Sequence, residues 1–205
     1  MTEDRPRLRH PLFELVFTIV VALGLALAVQ AYAVKPYRIP SSSMEPTLDI
    51  GQRVLVNRLS HRLGAHPHVG DVIVFHPPRG ADDEVCGDHH SGNGTQRPCV
   101  HPVPQPDSQT FIKRVVAVGG DTIAIVNGHA VRNGQQATEP FAESCGGGPD
   151  CNFPSAIRVP PGYVFLMGDN RGASDDSRFW GPVPVSWVIG QAFATYWPPT
   201  RIGGL

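Results

Sequence analysis

Lysine is almost missing from this chain of 205 residues: of 17 basic residues only Lys35 and Lys113 are lysine, and the other 15 are arginine. A lysine in so arginine-biased a sequence invites the question of what arginine could not do in its place. Excess charge of either sign is also lacking, because 17 basic residues face 18 acidic ones for a formal net charge of −1. No global attraction to nucleic acid or acidic lipid is built in. The chain has no internal repeat, no heptads and no charge runs, which excludes a solenoid or a coiled coil. Glycine and proline are abundant instead, 22 and 21 residues, about a fifth of the chain. Both break helix interiors, so a helical bundle is disfavoured and turns and strands should dominate. The length suits one domain of ordinary size, or a small domain with an appendage.

The one long hydrophobic run is at the amino end. Leu15 to Val34 carries no charge and is interrupted only by Thr18, Gly24, Gln30 and Tyr32. Twenty helical residues at ~1.5 Å each span a bilayer core of ~30 Å. Arg5, Arg7 and Arg9 precede the run and Lys35 and Arg38 follow it. The basic excess is on the amino-terminal side, so residues 1–14 are expected in the cytoplasm, 15–34 as a transmembrane anchor and 35–205 outside. The rival reading is a cleaved secretory signal, since Ala31-Tyr32-Ala33 has the small-x-small form of a cleavage site. Either reading exports the rest of the chain.

Export suits the even cysteine count. Cys86, Cys99, Cys145 and Cys151 lie in Gly/Pro/Asp-rich stretches, and four cysteines allow three connectivities. The expected pairing is local, Cys86 with Cys99 and Cys145 with Cys151. The alternative is a metal site of Cys86 and Cys99 with His89, His90 and His101, but the spacing matches no zinc pattern, and no metal or cofactor is expected. Past Tyr37, short apolar runs bounded by turn residues take over: Val54–Val56, Val72–Phe75, Phe111–Val118, Thr122–Val126, Tyr163–Met167 and Trp187–Trp197. These read as strands. Asn127-Gly128 is a hairpin signal joining IAIV to HAVR, so the sheet is at least partly antiparallel. Two inserts, 76–109 and 133–155, read as surface excursions ordered by their disulfides.

Chemistry concentrates in two segments. In RIPSSSMEPTL (Arg38 to Leu48), three serines are bracketed by Pro40 and Pro46, which fix the backbone, and by Ile39, Met44 and Leu48, which call for burial. A hydroxyl on a rigid, half-buried turn suits a nucleophile, provided a base is near. The nine histidines fall at the amino end, in the inserts or near turns, so a Ser-His-Asp arrangement stays open but has no compact motif behind it. Lys113, in FIKRVVAV, has apolar neighbours on both sides. Desolvation lowers a lysine's pKa, and a neutral amine can take a proton from a serine, which arginine cannot. The plain alternative is an outward-facing strand lysine. Lys35 reads as a membrane-flanking charge.

Four segments in order resemble the bacterial type I signal peptidases, membrane-bound Ser/Lys proteases that remove signal peptides from exported proteins. IPSSSMEPTL (Ile39–Leu48) is similar to their nucleophile box, GDVIVF (Gly70–Phe75) to a structural strand box and FIKRVVAVGGD (Phe111–Asp121) to the lysine box. MGDNRGASDDSRFWG (Met167–Gly181) is the most specific. The resemblance implies a mostly β, antiparallel catalytic domain with one N-terminal transmembrane helix. It makes Ser43 the nucleophile and Lys113 the general base, with the Ser41 hydroxyl and the Ser43 backbone N–H forming the oxyanion hole. Ser174 matches a serine that orients the lysine amine, and Asp176 and Arg178 a supporting ion pair. Ile39, Pro40 and Met44, beside the serines, are expected to touch substrate. The family often has Asp-Asn after GDNR, where this chain has Gly172-Ala173. Implied partners are signal peptides of exported precursors, membrane lipid and the secretion translocon, not nucleic acid.

Other readings are a peptidase of the same fold with one dedicated substrate, and a non-catalytic membrane-anchored envelope adaptor. A self-cleaving repressor would need a DNA-binding domain where the apolar run stands. A penicillin-recognising enzyme would need Ser-x-x-Lys, and neither lysine has a serine three residues before it.

Overall fold

The computed structural model describes residues 11–88 and 96–205. Pro11–Tyr32 is a 22-residue helix, α1, which ends short of the expected anchor limit at Val34, because Val34 already pairs with Asn57 in the first strand. Among the described residues, no helix is long and apolar enough to cross a membrane. Arg5, Arg7 and Arg9, on which the orientation of the apolar run depends, lie outside the described residues.

From Val34 onward the regular structure of the described residues is mostly strand, joined by long irregular segments. In chain order the strands are β1 (Val34–Arg38), β2 (Arg53–Asn57), β3 (Val72–Phe75), β4 (Phe111–Val118), β5 (Thr122–Val126), β6 (His129–Arg132), β7 (Gln135–Gln136), β8 (Phe153–Arg158), β9 (Tyr163–Met167), β10 (Val183–Pro184), β11 (Val188–Trp197) and β12 (Gly203–Gly204). Two short helices, α2 (Leu59–Arg62) and α3 (Ser177–Trp180), interrupt them. The large sheet runs β1-β2-β11-β3-β4-β9-β10 with β12 paired to β11; the small one runs β7-β6-β5-β8. The strand pairs are antiparallel, as expected.

Strand limits follow the expected runs closely. Val72–Phe75, Phe111–Val118, Thr122–Val126 and Tyr163–Met167 form strands over those very residues, and the last long strand starts at Val188 because Val185–Trp187 is a 3-10 turn. Asn127 and Gly128 have φ of 51° and 81°, the paired positive values that a two-residue type I′ hairpin requires. Five strands were not expected: the two-residue β7, β10 and β12, and the longer β1 and β8. β1 (VKPYR) and β8 (FPSAIR) each contain a proline, which removes a ladder donor, and each closes an end of its sheet, where that donor is not needed.

β3 separates two cores. Ile73 and Phe75 point into the larger one, between the two sheets, with Val115, Phe165, Trp180, Ile123 and Phe153. Val72 and Val74 point into the smaller one with Ile39, Met44, Leu48, Val54, Val56 and Ile112. Strand side chains alternate faces, so VIVF is buried on both sides.

The inserts are more than surface excursions. Both local disulfides form, Cys86–Cys99 and Cys145–Cys151. Cys99 is fully buried and its N–H donates to the Arg178 carbonyl at 2.9 Å, while Ala81 sits in the larger core. The second insert sends Glu139 inward onto Arg171, and its residue Phe153 begins β8. Burial of these apolar and paired groups, beyond the reach of a disulfide, ties both segments to the domain.

Candidate active site

The serine segment folds as a single 3-10 turn, Ser42–Met44, with Ser41 extended just before it. Met44 and Leu48 are fully buried in the smaller core, and burying each such side chain contributes about 1.5–3 kcal/mol. Glu45 N–H donates to Ser42 O at 3.0 Å and Leu48 N–H to Met44 O at 2.8 Å. Ile39 N–H donates to Gln52 O and Gly51 N–H to Ile39 O, so the start of the segment is pinned as well. The expected rigid, half-buried turn is present: Ser41 is exposed, Ser42 half-buried and Ser43 buried. Ser41 Oγ donates to Ser43 Oγ at 3.3 Å.

Lys113 lies in β4 opposite Ile73, only 4% exposed, with its Nζ 5.7 Å from the Phe111 ring centroid. Burial lowers its pKa from 10.5 to about 8, the charges of Asp176, Asp175 and Asp169 acting against the fall and that of Arg178 with it. An outward-facing strand lysine is thereby excluded. Ser41, Ser43 and Lys113 line one cleft of about 280 Å³, together with Pro40, Asp82, Gln109, Thr110, Phe111, Ile112, Ala173 and Asp175.

The segment Met167–Gly181 wraps behind this cleft. Asp176 is fully buried, caps α3 by accepting from the Arg178 N–H, and pairs with the guanidinium at 2.8 Å. Burial acts to raise its pKa, but the charge and hydrogen bond of Arg178, the charge of Lys113 and the Gly168 N–H together hold it below the ordinary carboxylate value. The remaining guanidinium donors of Arg178 reach the carbonyls of Asp150, Arg171 and Ser174. The expected ion pair is therefore formed inside the protein. Ser174 is buried, and its Oγ has no hydrogen-bond partner among the described residues.

The residues expected at the substrate divide. Pro40 lines the cleft, whereas Ile39 and Met44 are absent from its lining and are packed into the smaller core, 1% and 0% exposed. Their apolar side chains hold the serine turn from behind. The metal alternative loses two ligands, because Cys86 and Cys99 are bonded to each other, and His89 and His90 lie outside the described residues.

Several supporting residues escaped the sequence reading. Asn170 donates from its backbone to Ser43 O at 3.1 Å and from its side chain to Ser42 O at 3.3 Å. Asp169, fully buried, takes a two-pronged contact from Arg114 at 2.8 and 2.7 Å and accepts from the Thr47 hydroxyl. Arg171 pairs with Glu139 at 2.7 Å. Asp169, Asn170 and Arg171 are the DNR of the fourth box, and that run of polar residues beside apolar YVFLM was the signal available.

A sequence model of the family described as signal peptidase, peptidase S26, matches residues 12–197. The chain belongs to the peptidase S26 family of signal peptidases. It is 40% identical over 91% of its length to a probable signal peptidase I-1 of Synechocystis sp., covering 83% of that protein. It is 35% identical over 98% of its length to signal peptidase I of Mycobacterium tuberculosis, covering 78% of that one. A probable thylakoidal processing peptidase of Arabidopsis thaliana is 32% identical over 90% of this chain, which spans 44% of the plant protein. Membership in the S26 family makes the chain a serine endopeptidase.

Within that family frame Gly168 has a steric explanation. A Cβ there would fall on Ser174 Oγ and Ser43 O, so the strand end passes too close to the serine turn for any side chain. Gly168→Ala is expected to displace the turn, lowering both kcat and the unfolding midpoint; equal activity and midpoint to the unchanged protein would show the close approach to be unimportant.

Proposed function

We propose that this chain removes N-terminal signal peptides from exported proteins, with Ser43 as nucleophile and Lys113 as general base. The observation that supports the reading is that a buried serine and a buried lysine of lowered pKa line the same cleft. Ser43 Oγ attacks the carbonyl carbon of the cleaved bond as its proton passes to Lys113 Nζ. The tetrahedral oxyanion accepts hydrogen bonds from the Ser43 backbone N–H and the Ser41 hydroxyl. Collapse expels the new amino terminus, which takes the proton from Lys113 and leaves an ester on Ser43. Water, deprotonated by the same amine, then attacks the ester, and the proton returns to Ser43 Oγ. Asp176 and Arg178 support the lysine's surroundings, and Ser174, whose Oγ has no hydrogen-bond partner among the described residues, orients the amine.

The anchor belongs to the same proposal. The apolar stretch from Leu15 to the end of α1 at Tyr32 holds the strand domain, which begins at Val34, at the outer face of the cytoplasmic membrane with the amino terminus inside. The sequence from Val34 to Ser43 spans nine residues, so even fully extended it keeps the nucleophile within ~30 Å of the bilayer. A signal peptide's cleavable bond lies just beyond its own apolar segment. Tethering enzyme and substrate to one surface replaces a three-dimensional search with a high effective concentration. Lipid and translocon are therefore the expected neighbours.

Incubating the purified full-length chain with a precursor and reading the products by mass tests reaction type and cleavage position together. An uncut precursor would overturn the reading. The likeness to thylakoidal processing peptidases fits in part a second reading, a peptidase with a dedicated substrate, and a panel of unrelated precursors separates the two. For Ser41→Ala the expected result is a rate ~10²–10³ lower with an unchanged fold, the cost of one oxyanion donor. An unchanged rate would remove Ser41 from the hole.

A further inference from the structure

One wall of the cleft is supplied by neither the serine turn nor the lysine strand. Asp82 and Gln109 come from the insert at 76–109, and Asp175 comes from the fourth box on the lysine side. Asp82 is exposed, but its position is fixed. It sits in the 3-10 turn Ala81–Asp83, whose Ala81 is buried in the larger core. Ala81 N–H donates to Pro78 O at 3.1 Å, Asp83 N–H to Gly80 O at 3.1 Å, and Arg79 N–H to Gln105 O across the insert at 2.8 Å. Gln109 Nε2 donates to Asp82 Oδ2 at 2.8 Å, which orients the carboxylate.

Among the described residues, the ionisable side chains lining the cleft are Asp82, Asp175 and Lys113. Arg114 and Arg178, beside Lys113 and near Asp175 in sequence, are spent on Asp169 and Asp176, and Arg79, three residues before Asp82, is exposed and is not part of the cleft lining. A lysine that takes a proton from serine is neutral when the reaction begins, so at that moment the lining carries two negative charges and no positive one. A carboxylate on the bound peptide meets repulsion there and an ammonium or guanidinium meets attraction.

We propose that Asp82, delivered by the first insert, is a specificity determinant that makes the cleft favour a cationic residue, and disfavour an acidic one, in the extended substrate stretch flanking the cleaved bond. This rests on the peptidase reading and adds the substrate's charge to it. The contribution is that of a partly solvated ion pair, so it is modest, salt-sensitive and confined to the positions that pass Asp82.

The test uses the full-length protein and one precursor varied to Lys, Gln or Glu at each residue flanking the cleaved bond, with kcat/KM measured for each. The unchanged protein should prefer Lys over Glu at one or more positions by about three- to fivefold, and added salt should reduce that ratio. Asp82→Asn keeps an oxygen to accept from Gln109 and removes only the charge, so the ratio should move towards one at the same positions. Asp82→Lys should invert it. Cleavage of all variants with the same ratio before and after Asp82→Asn would overturn this proposal and leave the peptidase reading standing. Cleavage of none by the unchanged protein would overturn both.

Discussion

Lys113→Arg should abolish precursor cleavage, by about 10³-fold or more, in a protein that still folds, because arginine keeps the positive charge but cannot accept a proton at any working pH. A merely electrostatic role would survive the change. The same assignment fixes the sign of the pH dependence. Only the neutral amine works, so the rate of the unchanged protein should rise as pH climbs through the folded-state value of about 8, with about 1% of the plateau at pH 6. Linkage gives a companion sign for stability. The folded pKa lies below the unfolded one, so between about 8 and 10.5 the unfolded chain binds the extra proton and this group makes folding more favourable as pH rises. A folded Lys113→Arg variant cleaving at near the original rate, or a flat pH profile from 6 to 9, would end the Ser/Lys assignment. Ser43→Ala should be as inactive, and a Ser43→Ala variant that still cleaves would remove Ser43 as the nucleophile.

Removing Asp169 should produce the largest loss of stability. Its carboxylate is fully buried and receives two hydrogen bonds from Arg114, whose side chain is 11% exposed, and one from Thr47. Arg114 also donates to Gly70 O at 2.8 Å and lies 4.0 Å from the Phe141 ring centroid. One ion pair thus joins the lysine strand, the fourth box, the serine segment and the second insert. Asp169→Ala leaves a buried guanidinium unpaired, at a cost of about 3–5 kcal/mol. Chemical denaturation of the full-length protein measures it, and a loss under 1 kcal/mol would mean that water reaches Arg114. The companion change of both residues to apolar ones of similar size should cost far less, since no charge is then left unsatisfied. If it costs as much as Asp169→Ala alone, the pair matters for geometry and not for charge.

Local chemistry by itself determined a good deal of this protein. β3, β4, β5 and β9 were legible to the residue because each is an apolar run closed by turn residues, and the Asn127-Gly128 hairpin because both positions need positive φ. The disulfides were legible because their partners are 13 and 6 residues apart within one insert each. Ser43 and Lys113 stood out by box and by rarity. What only the tertiary structure decided depends on strand order, which brings together residues remote in sequence. It placed Asp176 and Asp175 where their charges act on Lys113, and sent Glu139 inward to Arg171. It turned Met44 and Ile39 into the core while leaving Pro40 on the cleft, and carried Asp82 from an apparent surface loop into the cleft wall. A run of residues states which of its own side chains are apolar or charged. Which of them meet across the sheet is set by the pairing of β4 between β3 and β9, and no local pattern encodes that neighbourhood.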